Sequence, residues 1–473
     1  MKKFILPVFL LACGTIFAQH QEFYATTDAD AARKLQEIFP DKVQILETKD
    51  QHSAIFLTQE AAEFLHKNVL THGPGYVYQS SREEAIEAIN YVKKINKVVD
   101  FTINQDVLVN SVIGLVNAEN IKNHIQILEN YGTRRHTTPQ AQTSVQDLRT
   151  KWQGFITASG RTDVSVRTVT HTGTTMPSLV FTINGNTTAS DYVIVGAHMD
   201  SISNTAQAPG ADDDASGIAT ITEMIRILLD VNYKPEKTVE FMAFAAEEIG
   251  LVGSSEIASN YAATNKNVVS FVQFDMTNFK GSANDVYLTT DTYNSNDLNL
   301  FLIELMTHYN SAGTHAITYG NTICNYGCSD HYSWAQKGYE AAFPFEADFS
   351  QSNPNIHRST DKLSNMGNNA NHAAKFAKLG LEFIIETAKS ATLATNEISK
   401  NDLVIYVENG SLNYRTGLAL QNIQVIDISG RKIKEKNNPF SLGKIDLGNI
   451  PKGFYLAVFK DKNGKITTKK FIY

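Results

Sequence analysis

Histidine and carboxylate residues follow three apolar runs of the chain, each at the point where the run ends. YVIVGAHMDS contains His198 and Asp200, TVEFMAFAAEE ends in Glu247 and Glu248, and VVSFVQFDMTN contains Asp275. A single such segment has ordinary structural explanations, such as packing or complementing the dipole of a helix. Three together indicate a functional site, because the carboxyl ends of parallel strands meet at one edge of a sheet.

These side chains predict a metal site. Several carboxylates at one buried edge would repel one another and titrate abnormally unless a cation neutralised them. Oxygen ligands alone suit calcium or magnesium, whereas imidazole beside carboxylates favours zinc or a similar transition ion. Asp200 is placed to accept the second imidazole N–H of His198. The neighbouring side chains of Glu247 and Glu248 diverge, so one can bind metal while the other acts as the general base of a hydrolysis.

The three apolar runs are predicted to be buried strands of an α/β domain. Tyr192–Gly196, Thr238–Phe244 and Val268–Phe274 are short and rich in β-branched or aromatic residues. Between the first two, Gly217–Asp230 carries apolar residues at helical spacing. The order strand, helix, strand indicates a largely parallel sheet flanked by helices, and this pattern extends over residues 116–391.

The two ends of the chain have a different character. Residues 1–18 combine two lysines, an apolar run and small residues, which predicts a secretory signal peptide cut after Ala18. Lipoprotein processing at Cys13 is a second option, and a buried N-terminal helix is the structural alternative. Residues 19–110, with a helical pattern at Ser81–Ile95, are expected to be a pro-segment or a small independent domain. Residues 392–402 are polar and predict a linker, and residues 403–473 predict a small all-β sandwich.

Composition excludes several classes of protein. A chain of 473 residues is expected to form two or three units. The net charge of -7 argues against a nucleic-acid-binding protein. No internal run reaches the roughly 18 apolar residues of a membrane span, so no span is expected. We expect a monomer.

Cleavage after Ala18 would leave two cysteines, Cys324 and Cys328, in the segment CNYGC. In a secreted chain, two cysteines four residues apart are expected to form a disulfide. A zinc site is the alternative, but two thiolates are too few ligands for it.

Two further histidines, His331 and His357, are candidate ligands of the predicted metal site. Their spacing in the sequence does not decide between them.

Six motifs in this order, GAHMDS, APGADDDASG, AAEEIGLVGS, FDMTN, CNYGCSDH and NPNIHRSTD, resemble the M28 metallopeptidase family. They are most similar to its secreted bacterial leucyl-type aminopeptidases with two co-catalytic zinc ions. The resemblance covers residues 116–391 and implies the zinc-peptidase (phosphorylase/hydrolase-like) fold, with a mostly parallel, mixed sheet. It also implies a cis peptide between Asp213 and Asp214.

The resemblance implies a role for each candidate residue. Two zinc ions would be held by five side chains: Asp213 bridging both, His198 and Asp275 completing one site, and Glu248 and His357 completing the other. Glu247 would be the general base for a metal-bridging water. His331 is left as a structural or supporting histidine, and Asp200 as a residue that supports His198. Tyr326, in the CNYGC loop, would donate to the oxyanion.

The resemblance also implies a hydrophobic pocket for the first side chain of a peptide. Met276, Phe345 and Phe349 match its lining positions. Thr289 and Ser352 stand where the well-known aminopeptidases carry an aliphatic residue and a tyrosine, so this pocket is expected to be wider or more polar.

The last ~70 residues resemble the C-terminal sorting domains of type IX secretion cargo, which implies export by that machinery past the outer membrane. We therefore expect a secreted di-zinc aminopeptidase that acts on peptides with a free, apolar N-terminal residue. Two alternatives stay open. One is a single-zinc transferase resembling glutaminyl cyclase, and the other is a non-catalytic surface binding protein on the same fold.

Overall fold

The computed structural model describes residues 22–68, 75–90, 101–324, 327–390 and 403–473, with short gaps at 409, 417–418, 428, 440–441 and 449. The chain divides into two units, Met1–Ala391 and Thr392–Tyr473. Four of the sequence predictions fall outside the described residues: the signal peptide, processing at Cys13, the linker and Tyr326.

The first described segment forms a four-stranded antiparallel sheet with three helices. Its elements are β1 (Glu22–Asp28), α1 (Ala29–Ile38), β2 (Val43–Lys49), β3 (His52–Thr58), α2 (Gln59–Asn68), β4 (Val77–Gln79) and α3 (Arg82–Ile89). The strand order is β2-β3-β1-β4. Helix α3 ends at Ile89, short of the predicted Ile95, and residues 91–100 are not among those described.

The remainder of the first unit alternates strands and helices. Its elements are α4 (Asp106–Val112), α5 (Ala118–Glu129), α6 (Pro139–Ser159), β5 (Val164–Val169), β6 (Ser178–Ile183), β7 (Thr188–His198), α7 (Ala215–Asp230), β8 (Lys237–Phe244), α8 (Val252–Ala263), β9 (Asn267–Gln273), β10 (Val286–Thr289), α9 (Asn296–Tyr309), β11 (Tyr319–Thr322), α10 (His331–Gln336), β12 (Ala341–Ala342), β13 (Pro344–Phe345) and α11 (Ala373–Ala388). Short 3-10 turns cover Ile113–Leu115, Glu247–Ile249, Gly313–His315, Phe349–Gln351 and Leu363–Met366.

A six-stranded mixed sheet is the centre of this unit. Its strand order is β12-β9-β7-β8-β6-β5. Strands β12, β9, β7 and β8 are parallel, whereas β6 and β5 pair antiparallel at one edge. The predicted α/β fold with a mostly parallel, mixed sheet is therefore confirmed.

Helices bury the apolar side chains of this sheet. Helix α7 has 14 buried residues among 16, and α11 is buried along most of its length. Asp214 caps the N-terminus of helix α7, where its side chain accepts a hydrogen bond from the backbone N–H of Gly217. The loop before α7 is therefore fixed by the start of a core helix.

The second unit is all-β, as expected for residues 403–473. Its strands are β14 (Val404–Glu408), β15 (Ser411–Arg415), β16 (Leu420–Asp427), β17 (Lys432–Asn437), β18 (Leu442–Asp446), β19 (Phe454–Asp461) and β20 (Ile466–Ile472). They form a sheet of order β14-β15-β18 and a second of order β17-β16-β19-β20. A separate apolar cluster that includes Leu412, Ile423 and Phe459 holds this unit together.

None of the helices that the structure describes is both long and apolar enough to cross a membrane.

Candidate metal centre

The candidate ligands lie where the parallel strands end. His198 is the last residue of β7, and Asp275 lies two residues after β9. Glu247 and Glu248 begin the 3-10 turn that follows β8, and Asp213 lies in the loop before α7. Parallel neighbours β8, β7 and β9 bring these positions to one edge of the sheet.

One group of candidate ligands surrounds His198. Its Nε2 lies 3.1 Å from Oδ1 of Asp213 and 3.5 Å from Oδ1 of Asp275. All three side chains are buried, and one ligand atom from each lies within 4.8 Å of the others. The geometry suits a single cation held by one imidazole and two carboxylates.

A second group shares Asp213. The Nε2 atom of His357 lies 3.1 Å from Oδ2 of Asp213 and 3.0 Å from Oε2 of Glu248. Asp213 therefore turns one carboxylate oxygen toward each imidazole. His331 is in neither group of the described residues: it is buried and stacks on Phe343, with ring centroids 5.0 Å apart.

The donor set fits a metal ion. In the part of the chain that the structure describes, neither carboxylate oxygen of Asp213 or Glu248 receives a well-aligned hydrogen bond, although all four atoms are buried. Burial lowers the pKa of His198, but Asp275, Asp200 and Asp213 outweigh it and raise that pKa well above the ordinary value. Positive charge between the carboxylates would therefore stabilise the site, and a bound cation supplies that charge.

Glu247 lies beside these ligands but belongs to neither group. The residue is 1% exposed. Burial raises its pKa well above the ordinary value; the charge of His198 opposes this, while Glu248, Asp330 and Asp275 add to it. A carboxylate with a raised pKa is suited to accept and return a proton near neutral pH.

Asp200 connects the imidazole to the glutamate turn. Its Oδ1 lies 3.5 Å from Nδ1 of His198, whereas Nε2 of that imidazole faces Asp213 and Asp275. It also accepts hydrogen bonds from the backbone N–H groups of Glu247 (3.0 Å) and Glu248 (3.1 Å). The sequence prediction placed Asp200 beside the imidazole of His198, and nothing in the sequence indicated the two backbone contacts.

The other two aspartates of the ADDDAS loop anchor the loop. Asp214 accepts hydrogen bonds from the backbone of His198 (2.9 Å) and Met276 (3.2 Å) as well as from Gly217. Asp212 accepts from the backbone N–H of Asn278 at 3.1 Å. The peptide bond between Asp213 and Asp214 is cis, as the family resemblance implies.

Two supporting residues were missed by the sequence analysis. Oδ1 of Asp361 accepts a hydrogen bond from the backbone N–H of Asp212 at 3.1 Å, and its Oδ2 accepts one from the backbone N–H of Asp213 at 3.1 Å. Ser329 donates to Oδ2 of Asp275 at 2.5 Å. Both lie inside quoted motifs, NPNIHRSTD and CNYGCSDH, but only the fold shows which atoms they contact.

Three residues at the site have left-handed backbone conformations without being glycine. They are Ala246 (φ 57°), Met276 (φ 57°) and His357 (φ 55°). Such conformations are uncommon outside glycine and asparagine and occur often at functional sites. Ala246 directly precedes Glu247, Met276 directly follows Asp275, and His357 is itself a candidate ligand.

The predicted pocket residues lie in one apolar cluster. Met276, Cys324, Cys328, Phe343 and Phe345 form its buried part, and Phe349 and Ile356 pack against it. Cys324 and Cys328 form the predicted disulfide. The hydroxyl of Thr289 lies 2.8 Å from Oδ1 of Asn294 and 2.8 Å from the carbonyl of Phe343, so it is hydrogen-bonded within the protein.

Comparison with known proteins identifies the family. The sequence profile of peptidase family M28 matches residues 178–381. Leucine aminopeptidase 1 of Arthroderma gypseum is 33% identical over 297 residues, which are 59% of this chain and 77% of that protein. The chain belongs to peptidase family M28. Leucine aminopeptidase 1 of Sclerotinia sclerotiorum is 38% identical over 225 residues, 45% of this chain and 56% of that protein.

Solved structures agree with this assignment. The LapA aminopeptidase of Legionella pneumophila superposes on the M28 peptidase with a TM-score of 0.69 at 29% identity, covering 78% of this chain and 99% of that one. LapB of the same organism gives a TM-score of 0.68 at 25% identity, covering 78% and 100%. The M28 peptidase is a metallo-aminopeptidase, a class that depends on metal ions, typically zinc.

The tail has its own match. Residues 400–473 match a secretion system C-terminal sorting domain. The M28 peptidase is thus a protein marked for secretion through the type IX system.

Proposed function

We propose that the protein is a secreted aminopeptidase that uses two zinc ions to remove apolar residues from the N-terminus of peptides. One observation carries this proposal: two groups of candidate ligands, all buried except the half-buried His357, share Asp213. A carboxylate that turns one oxygen to each group supports a pair of neighbouring cations. Imidazole in both groups favours zinc over calcium or magnesium.

Five side chains would hold the metals: His198, Asp213, Glu248, Asp275 and His357. When bound, the ions would act as Lewis acids that make water nucleophilic near neutral pH. Glu247 takes a proton from the attacking water and returns it to the amine that leaves. Its raised pKa supports this role, since the base must hold the proton briefly and then release it. Tyr326 stays a proposed oxyanion donor.

The pocket proposal concerns the first residue of the substrate. Met276, Phe345 and Phe349 are proposed to contact its side chain, and their apolar cluster supports a preference for apolar residues. The hydroxyl of Ser352 donates to the carbonyl of Phe349 at 3.1 Å, and that of Thr289 is likewise bonded internally. Neither hydroxyl adds a free polar group, so we propose a pocket that differs from those of the well-known aminopeptidases in width and not in polarity.

Processing completes the proposal. A signal peptide at residues 1–18 would direct the chain across the inner membrane, and residues 19–110 would be a removable pro-segment. Export past the outer membrane would follow through the C-terminal sorting domain.

The test is a panel of aminoacyl p-nitroanilides and matched N-acetylated peptides, assayed with metal-free protein before and after zinc is added. N-terminal trimming is included as a second variable. We expect zinc to restore cleavage of leucyl and phenylalanyl substrates, with no cleavage of acetylated ones. Cyclisation of N-terminal glutamine by protein with one zinc per chain would refute the proposal, and so would zinc-loaded, trimmed protein that turns over no substrate.

A further inference from the structure

Arg134 lies behind the ligand cluster, in the loop between α5 and α6. Its side chain is among the largest that are fully buried, with 1% of the residue exposed. Burial of a guanidinium is costly unless its N–H groups are hydrogen-bonded. Its partners therefore reveal what it contributes to the fold.

The guanidinium of Arg134 joins the end of β7 to the loop that carries Asp213. Its Nε donates to the carbonyl of Met199 at 2.9 Å, the residue directly after His198. Its Nη1 and Nη2 donate to the carbonyls of Pro209 (2.6 Å) and Gly210 (2.8 Å). Another bond from Nη1, to the carbonyl of Leu128 at 3.2 Å, ties the side chain to helix α5.

A second link runs beside the first. The backbone N–H of Arg134 donates to Oγ of Ser201 at 3.1 Å, and that hydroxyl donates to the carbonyl of Ala208 at 2.7 Å. Gly210 has φ +54°, and a Cβ there would lie 2.5 Å from Cβ of Ser201 and 2.9 Å from Nη2 of Arg134. At Gly210, the loop therefore lies too close to Ser201 and Arg134 to admit a side chain.

The charge of Arg134 is directed at backbone and not at the ligands. Among the described residues, every hydrogen bond that its guanidinium donates goes to a main-chain carbonyl. Burial lowers its pKa, while the carboxylates of Asp361, Asp214, Asp200 and Asp213 oppose that shift. Because the guanidinium of Arg134 donates to main-chain carbonyls and not to a candidate ligand, the ligand oxygens stay available to a cation.

The geometry points to Arg134 as a positioning residue of the metal centre, which fixes His198 relative to Asp213 so that the two can hold the same ion. The inference rests on the proposed function only in taking these two residues as metal ligands. A supporting contact of this kind typically changes metal affinity by about 10–100-fold when it is removed. Catalysis itself needs no contact between Arg134 and the substrate.

The test measures zinc affinity of the full chain by competition with a chromophoric chelator, with Zn²⁺ alone as the probe. Arg134→Lys keeps the charge but loses the forked set of bonds, and Arg134→Met removes both. Ser201→Ala breaks the second link, and it keeps the inference testable if the Arg134 variants do not fold. Arg161→Lys is the control: Arg161 is also a buried arginine, yet its Nη1 bonds to the carbonyl of Tyr233 and its other bonds reach Asp163, away from the ligands.

We expect both Arg134 variants to bind zinc at least about tenfold more weakly. Ser201→Ala should weaken binding several-fold, and Arg161→Lys should change it by less than twofold. In Arg134→Lys, kcat should fall and excess zinc should partly restore it, with KM unchanged. Unchanged zinc affinity with equal losses of thermal stability in the metal-free and zinc-loaded forms would mean a purely structural role and would overturn the inference.

Tighter zinc binding by Arg134→Met would also overturn it, because that result would make charge repulsion the main effect of the residue. Zinc binding is read without a substrate. A wild-type chain that binds zinc but cleaves no peptide would therefore contradict the proposed function and not this inference.

Discussion

At the scale of single residues, Glu247 and Glu248 show how two adjacent carboxylates receive different surroundings. Oε2 of Glu248 lies 3.0 Å from Nε2 of His357, whereas Glu247 belongs to neither ligand group of the described residues. The backbone N–H groups of both bind Asp200, which holds the turn in place. Their side chains diverge, so the pair can separate metal binding from proton transfer.

This separation predicts opposite effects of two neighbouring substitutions. Glu247→Ala should lower kcat by about 10²–10⁴-fold, the usual value of a general base, and leave both zinc ions bound. Glu248→Ala should lower the zinc content itself. Activity assays paired with metal analysis on the same samples measure both. If Glu247→Ala lost metal in proportion to its residual activity, the two roles would have to be exchanged or abandoned.

Thr289 gives a second prediction at this scale. Thr289→Val keeps the shape of the side chain but removes the hydrogen bond to the carbonyl of Phe343, so the free energy of unfolding should fall by about 0.5–1.5 kcal/mol. Because the hydroxyl is bonded within the protein, the ratio of kcat/KM between leucyl and seryl substrates should change by less than twofold. Urea unfolding and the substrate panel check the two halves. A large change in that ratio would show that the hydroxyl faces the substrate.

How much of the site was predictable from sequence differs from residue to residue. His198, Asp275 and the glutamate pair follow apolar strands, so local pattern was enough to propose them. His357 could not be separated from His331 by spacing, because the contact with Glu248 and Asp213 is made across the fold. Supports such as Asp361 gave no local signal at all.

At the scale of elements, strand pattern predicted the sheet well because β7, β8 and β9 are buried and apolar on both faces. Each observed strand extends the prediction or differs from it by one residue: Thr188–His198, Lys237–Phe244 and Asn267–Gln273. The antiparallel edge formed by β5 and β6 was not predicted. Strand order depends on pairing between distant segments, which local periodicity does not contain.

Asp285, just before β10, supplies a pH prediction. It binds Nζ of Lys375 in α11 at 2.8 Å and accepts from the backbone and hydroxyl of Thr318 at 2.9 Å. Burial raises its pKa, but these partners outweigh it and lower the pKa to about 2 from the ordinary 3.8. A lowered folded-state pKa means that the charged form stabilises the fold above pH 3.8 and that this stabilisation is lost as the pH falls through about 2.

The measurable consequence is a pH-dependent difference between wild type and Asp285→Asn. The variant should melt a few degrees lower from pH 5 to 7. Its difference from wild type should shrink below pH 3.8 and disappear near pH 2. Thermal unfolding at several pH values tests this. A difference that stayed constant down to pH 2 would mean that the carboxylate charge contributes nothing.

At the scale of the whole molecule, the two units have separate apolar cores. The core of the first unit is built on the central sheet and its helices, and that of the second includes Leu412, Ile423 and Phe459. Removing residues 392–473 should therefore leave the kcat, the KM and the zinc content of the enzyme unchanged within about twofold. The reason is that this deletion leaves the apolar core of the first unit intact. Export from a host with the type IX system should be lost. Assays of the truncated chain and fractionation of its host check the two results, and a truncated chain without activity would contradict the independence of the units.

The most direct test of the account is zinc titration of metal-free protein, with bound zinc counted per chain. Wild type should bind two equivalents and gain aminopeptidase activity. His357→Ala should lose the ion held with Glu248 and keep the one held with His198, while Asp213→Ala should weaken both because it is shared. A wild-type chain that saturates at one equivalent, or an Asp213→Ala chain that still binds two as tightly as wild type, would contradict the central claim that one carboxylate joins two metal sites.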